Sequence, residues 1–217
     1  MLHAAFLRTP YAHARIVRID TAAARALPGV AAVLTGEDIA HDTKPVRAGS
    51  RMPAYKVTSF PVLAQGKVRY TGEAVAMVAA ESRYLAEDAL ERIVVEYEPL
   101  PAVGDMEAAL APGAPALHEE AGDNLLLARE FARGDVDQAL AGANLVVRER
   151  FRFHRHTAVC MENRGALAEY ASASGTLTLR SSAQCPGIVR DVLADLLDIP
   201  EHLIRVVATD VGGGFGA

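Results

Sequence analysis

The chain of 217 residues has no tryptophan and only two cysteines, Cys160 and Cys185. They form no CxxC pair, so the sequence suggests neither a disulfide framework nor a zinc site. Excess positive charge is also missing. Twenty-two Lys and Arg stand against 27 Asp and Glu, for a net charge of -5. No basic patch argues for nucleic acid or for an anionic membrane surface. The apolar runs fall well short of the roughly 20 residues that a membrane-spanning helix needs. A secretory leader is not apparent either, because Arg8 and Pro10 interrupt the stretch where its apolar core would lie. Together these absences point to a reducing, cytoplasmic setting. What remains is 51% hydrophobic and 23% charged, the ordinary composition of a globular protein with one or two domains.

The first half alternates short strands and helices. "FLRTPYAHARIVRID" alternates apolar and charged residues in its second part and reads as a strand exposed on one face. "DTAAARALPGV" is a short Ala-rich helix ended by Pro28-Gly29, and "VAAVLTGEDI" is a buried strand and turn. Residues 42 to 62, with Pro45, Pro53 and Pro61, read as loop. A turn at Thr71-Gly72 leads into a buried strand from Ala74 to Ala79. "SRYLAEDALERI" has helical spacing behind a Ser82 cap, and "IVVEYEPLPAV" is a strand closed by prolines.

Residues 104 to 133 are rich in Ala, Pro and Gly and read as a connector. The second half, 134 to 217, begins with a short helix in "DVDQALAGA". "LVVRERFRFHRHTAV" alternates over its length and predicts one long antiparallel strand across 145 to 159. "TLTLRSSAQ" predicts another strand, "PGIVRDVLADLLDIP" an amphipathic helix and "LIRVVATDV" a last strand. Pattern alone gives an α+β chain in two parts without a clean βαβ series.

Three stretches carry candidate chemistry. In "VVATDVGGGFGA", Gly212, Gly213, Gly214 and Gly216 have no Cβ, so their backbone N–H groups could close on a bulky anion. The spacing is neither GxGxxG nor the Walker pattern, and on spacing alone a plain flexible turn or a frayed end is the favoured reading. In "RSSAQCPGIVRD", Gln184 stands at a strand-to-helix corner, where an amide can donate and accept; a surface glutamine is the competing reading. "FHRHTAVCMENRG" gathers His154, His156, Cys160, Glu162 and Arg164, but without the spacing of a metal site. Arg164-Gly165 suggests a turn that aims a charge at a pocket.

Several of these stretches agree on one family. "FLRTPYAHARIVRIDTAAARALPGVAAVLTGEDI" and "YTGEAVAMVAAESRYLAEDALERIVVEYEPLPAV" resemble the N-terminal hammerhead domain of the molybdopterin-binding large subunit of xanthine dehydrogenases, aldehyde oxidases and aerobic carbon monoxide dehydrogenases. "HRHTAVCMENRGALAEY" and "SSAQCPGIVRDVLADLLDIPEHLIRVVATDVGGGFG" resemble the start of that family's cofactor domain. The resemblance implies a hammerhead-type α/β domain over 1–103, a connector over 104–133, and the first part of an α+β molybdopterin-binding domain over 134–217.

The resemblance also implies roles. Gln184 would hydrogen-bond an oxo ligand of molybdenum, and Gly213, Gly214, Phe215 and Gly216 would pack against the pterin. Gly187 stands where the family often has histidine. The cofactor would be molybdenum-molybdopterin in its cytosine dinucleotide form. Iron–sulfur clusters and FAD would sit on a small 2Fe-2S subunit and a medium FAD-binding subunit. The implied activity is hydroxylation of an aldehyde or N-heterocycle with oxygen from water, or oxidation of carbon monoxide. Family members continue far beyond the glycine loop, and their general-base glutamate lies there. The expectation is therefore a fragment without a catalytic residue of its own, part of either a split enzyme or a silent remnant that folds only as a hammerhead domain.

Overall fold

The computed structural model describes residues 1–153 and 156–216. Two compact units emerge, one of Met1–Leu126 with Asp191–Glu201, the other of Leu127–Arg190 with His202–Ala217.

The first unit contains β1 (His3–Arg8), β2 (Ala14–Asp20), α1 (Ala22–Arg25), β3 (Val30–Thr35), β4 (Val46–Ala48), β5 (Thr58–Phe60), β6 (Lys67–Val68), β7 (Ala74–Ala80), α2 (Arg83–Leu90) and β8 (Val94–Pro99). Two three-stranded sheets, β1-β7-β3 and β6-β2-β8, are antiparallel throughout, and β4 and β5 form a small hairpin.

β7 is the centre of the first sheet and is buried on both faces. Ala76, Val78 and Ala80, two apart, share one face with Val33, Ala24, Ile93 and the α2 residues Ala86 and Ala89. Alanine at these positions lets the helix backbone come close to the sheet. Val75, on the other face, joins Ala14, Ala64 and Val68 in a second cluster. Helix α2 starts where expected: the Ser82 hydroxyl accepts the Leu85 N–H at 3.2 Å.

The Ala/Pro/Gly-rich stretch after β8 is held down. Asn124 donates to the carbonyls of Ala109 (3.1 Å) and Pro115 (3.0 Å), and its oxygen accepts the Leu117 N–H (3.1 Å). One side chain thus satisfies three backbone groups of an irregular segment. Arg69 Nε donates to the Leu117 carbonyl at 3.1 Å, and the Lys56 N–H donates to the Leu126 carbonyl at 2.9 Å. Lys67 pairs with Glu119 and holds that carboxyl below its usual value.

The second unit contains α3 (Val136–Ala141), β9 (Ala166–Ala171), β10 (Thr176–Ser181), the start of α4 (Pro186–Leu197) and β11 (Ile204–Val207). Asp135 caps α3 by accepting the Gln138 N–H at 2.9 Å. The sheet order is β11-β10-β9, with β10 antiparallel to β9 and parallel to β11. β10, α4 and β11 therefore make one βαβ crossover, which the sequence pattern did not resolve.

The long strand expected over 145 to 159 does not form; none of its described residues lies in a strand. Its apolar residues stand in solvent, Phe151 at 82% and Phe153 at 80% exposure. Alternation specifies two faces of a strand, but a ladder also needs a neighbouring strand to accept its hydrogen bonds, and this segment has none among the described residues. β9 escapes a reading of the sequence for the opposite reason. "ALAEYA" has weak β-propensity, and its pairing with β10 across the Gly175 turn carries it.

Candidate functional site

Parallel strands place their C-terminal ends side by side. The segments that leave the ends of β10 and β11 therefore meet, and ligand sites gather at such ends. After β10 comes Ser182-Ala183-Gln184-Cys185, then α4 opens with Pro186, a residue suited to the first helical turn. After β11 comes the glycine run from Gly212 to Gly216.

The two segments are joined by side chains. Gln184 Oε1 accepts the Gly216 N–H at 2.8 Å. Because an N–H demands an acceptor, the carbonyl end of the amide faces Gly216 and the Nε2 end remains as a donor. A Cβ on Gly214 would stand 2.3 Å from the same Gln184 oxygen, so only glycine fits there undisturbed. At the loop's other end the Gly212 N–H donates to the carboxylate of Glu162. A Cβ on Gly212 would stand 2.5 Å from Cβ of Glu162. Between them Gly213, at φ 132°, packs against Cys160, whose Sγ would lie 3.0 Å from an added Cβ. Gly212 and Gly214 thus face side chains at separations too tight for a Cβ, and Gly213 holds a positive φ that side-chain-bearing residues rarely adopt.

Phe215 adopts the left-handed conformation at φ 48° and is 78% exposed. The loop presents an aromatic ring to solvent instead of burying it.

Arg164 is set by its neighbours. Ser181 Oγ donates to the Gly165 carbonyl at 3.0 Å, and the Gly165 N–H donates to Ser182 Oγ at 3.2 Å. The turn carrying Arg164 is thereby pinned to the end of β10. Arg164 lines two neighbouring clefts, one with Cys160, Glu162 and Gly213, the other, of about 360 Å³, with Gln184, Ile188, Val189 and Gly216.

The structure brings together all the site residues expected from the sequence: Gln184, Gly213, Gly214, Phe215 and Gly216 lie in one loop cluster. It departs from the expectation that the loop's N–H groups are free for an anion, since those of Gly212 and Gly216 are engaged by protein side chains. In the sequence Glu162 stands out only as a member of a histidine-rich cluster. Its place beside the loop has no local signal, because the partners are 50 residues apart. His154 of that cluster lies outside the described residues. Among the described residues no three His, Cys, Asp or Glu side chains are grouped to hold a metal ion, and no helix is long and apolar enough to cross a membrane.

Residues 1–101 match the family model of the aldehyde oxidase and xanthine dehydrogenase a/b hammerhead domain, and residues 117–217 that of the molybdopterin cofactor-binding domain. The chain belongs to the xanthine dehydrogenase and aldehyde oxidase family. Gln184 and the glycine loop lie within the stretch that matches the cofactor-binding domain. The fold superimposes on quinoline 2-oxidoreductase from Pseudomonas putida 86 with a TM-score of 0.93 and 45% identity, covering 99% of this chain and 27% of that one. The carbon monoxide dehydrogenase large chain of Afipia carboxidovorans is 38% identical over the whole chain, which spans 28% of it. The nicotine 6-hydroxylase large subunit of Paenarthrobacter nicotinovorans is 39% identical over 99% of the chain, which spans 26% of it. The chain thus spans little more than a quarter of the length of these relatives.

Proposed function

We propose that this chain supplies part of the molybdopterin site of a molybdenum hydroxylase large subunit. The observation that carries the reading is the union of Gln184 with the glycine loop. The amide carbonyl is committed to Gly216, the amide N–H is left to donate, and beside it Gly216 has open space where a Cβ would stand.

These features suit a bulky, oxygen-rich, anionic cofactor. Gln184 would donate to an acceptor on that group, and Gly213, Gly214 and Gly216 would let a flat ring system lie against the backbone. Phe215 would cover one side and exclude water. Arg164 brings positive charge to the mouth of the same cleft. When bound, the cofactor supplies the two-electron chemistry by which oxygen from water is added to the substrate carbon. The chain's own residues bind, orient and shield.

The substrate class is an aldehyde, an N-heterocycle or carbon monoxide; the names of the nicotine and quinoline relatives favour the N-heterocycles. The cytosine dinucleotide form of the cofactor fits the match to the carbon monoxide dehydrogenase large chain. The partners are the remainder of a large subunit, a medium FAD-binding subunit and a small 2Fe-2S subunit, assembled in the cytoplasm. The test is molybdenum and pterin analysis of the protein purified together with the products of its neighbouring genes. Near-stoichiometric metal and pterin in the assembly supports the reading; their absence from an assembled complex refutes it.

A further inference from the structure

We propose that Glu162 is the positioning residue of the glycine loop, holding it in the form that receives the cofactor. Three observations converge. The carboxylate accepts the Gly212 N–H, the first of the run. The approach is so close that Gly212 cannot carry a side chain against Cβ of Glu162, so the loop backbone is built around this residue. The last N–H of the run, from Gly216, is taken by Gln184, so the loop is fastened at both ends by side chains from outside it.

The benefit is entropic. Glycine gives up more backbone freedom on ordering than any other residue, on the order of 1–2 kcal/mol each. A loop with four glycines in five residues would otherwise have to be ordered by its ligand at the moment of binding. Glu162 and Gln184 order it beforehand, which is preorganisation. The two fasteners then differ in role. Gln184 has an N–H left for the ligand; Glu162 faces the loop with an acceptor-only group and acts on the cofactor through Gly212 alone. Glu162 thus controls how firmly the cofactor is held, while Gln184 touches it.

The inference rests on the molybdopterin reading, and the experiment separates the two. Glu162→Ala keeps Cβ and its packing on Gly212 but removes the acceptor; Glu162→Gln keeps an acceptor oxygen. Amide hydrogen exchange is measured in the full 217-residue chain. Molybdenum content is measured in the assembled enzyme. The expected result is that Gly212 and its loop neighbours exchange about tenfold faster in Glu162→Ala, as one hydrogen bond's loss implies, while Glu162→Gln stays within about threefold of wild type. Amides of β10 should not change in either variant. Molybdenum content should fall in Glu162→Ala and be restored in Glu162→Gln. Unchanged loop exchange in Glu162→Ala overturns the proposal. So does faster loop exchange with full molybdenum retention, because ordering and cofactor binding would then be unconnected. If Glu162→Ala also loses β10 protection, Glu162→Gln alone decides: wild-type loop exchange supports the latch, and tenfold faster exchange overturns it. Wild-type enzyme without molybdenum refutes the cofactor reading, and the exchange data still judge the latch.

Discussion

Gln184 and Gly214 stand so close that the glutamine oxygen lies 2.3 Å from where a Cβ of residue 214 would be. Gly214 itself has no positive φ, so its backbone conformation does not require glycine. The glycine is there for the glutamine and not for the chain direction.

Gly214→Ala should therefore leave the fold almost untouched, within about 1 kcal/mol, while pushing Gln184 off Gly216. Thermal unfolding checks the first part. The second is read from the Gly216 amide, which should lose its protection from exchange. A protected Gly216 amide in the alanine variant would contradict the account.

Asp38 ties the end of β3 to helix α1. Its carboxylate accepts the Thr35 N–H at 2.7 Å and the Thr35 hydroxyl at 2.8 Å, and Arg25 pairs with it at 3.2 Å. The Thr35 backbone hydrogen bond, first among these, holds the Asp38 carboxyl below its usual value. A lowered folded pKa stabilises above the unfolded value, near 3.9 for aspartate, and that contribution is lost as pH falls through the folded value. Asp38→Ala should cost about 1 kcal/mol at neutral pH, a figure already reduced for solvent screening. The melting difference from wild type should shrink steadily below about pH 4. A difference that is constant or grows toward acid pH would rule this out.

Limited proteolysis should open the chain between 127 and 134. That stretch is largely exposed and irregular, whereas 104–126 is fastened by Asn124, Arg69 and Lys56. A protease of broad specificity followed by mass spectrometry reads the first cut. First cleavage within 105 to 122 would show that these hydrogen bonds do not hold the segment.

Much of the fold was legible because local signals agreed with it. Ser82 announced α2, the valines and alanines of 74–80 announced a buried strand, and Pro186 announced α4. The misreadings came where pairing and not pattern decides. The alternation of 145–159 was real, yet among the described residues no strand lies beside it. "ALAEYA" carries no strand signal of its own and becomes one by pairing with β10. Likewise the asparagine-held segment 104–126 has the composition of a linker, because one side chain's three hydrogen bonds leave no periodic trace. In the site, residue type and corner position singled out Gln184 and the glycines but also allowed a surface glutamine and a plain turn, and only the family resemblance gave them a role. Glu162 did not, since its meaning depends on a contact across 50 residues.

The most direct test of the account is Gln184→Ala in the assembled enzyme, with turnover and molybdenum content measured on the same preparation. Gln184→Ala also frees the Gly216 end of the loop, so molybdenum content should fall in part and turnover is expressed per bound molybdenum. Loss of one hydrogen bond to a charged group should lower kcat roughly ten- to a hundredfold. Wild-type turnover per bound molybdenum would mean that Gln184 does not face the cofactor, and the central claim would fall.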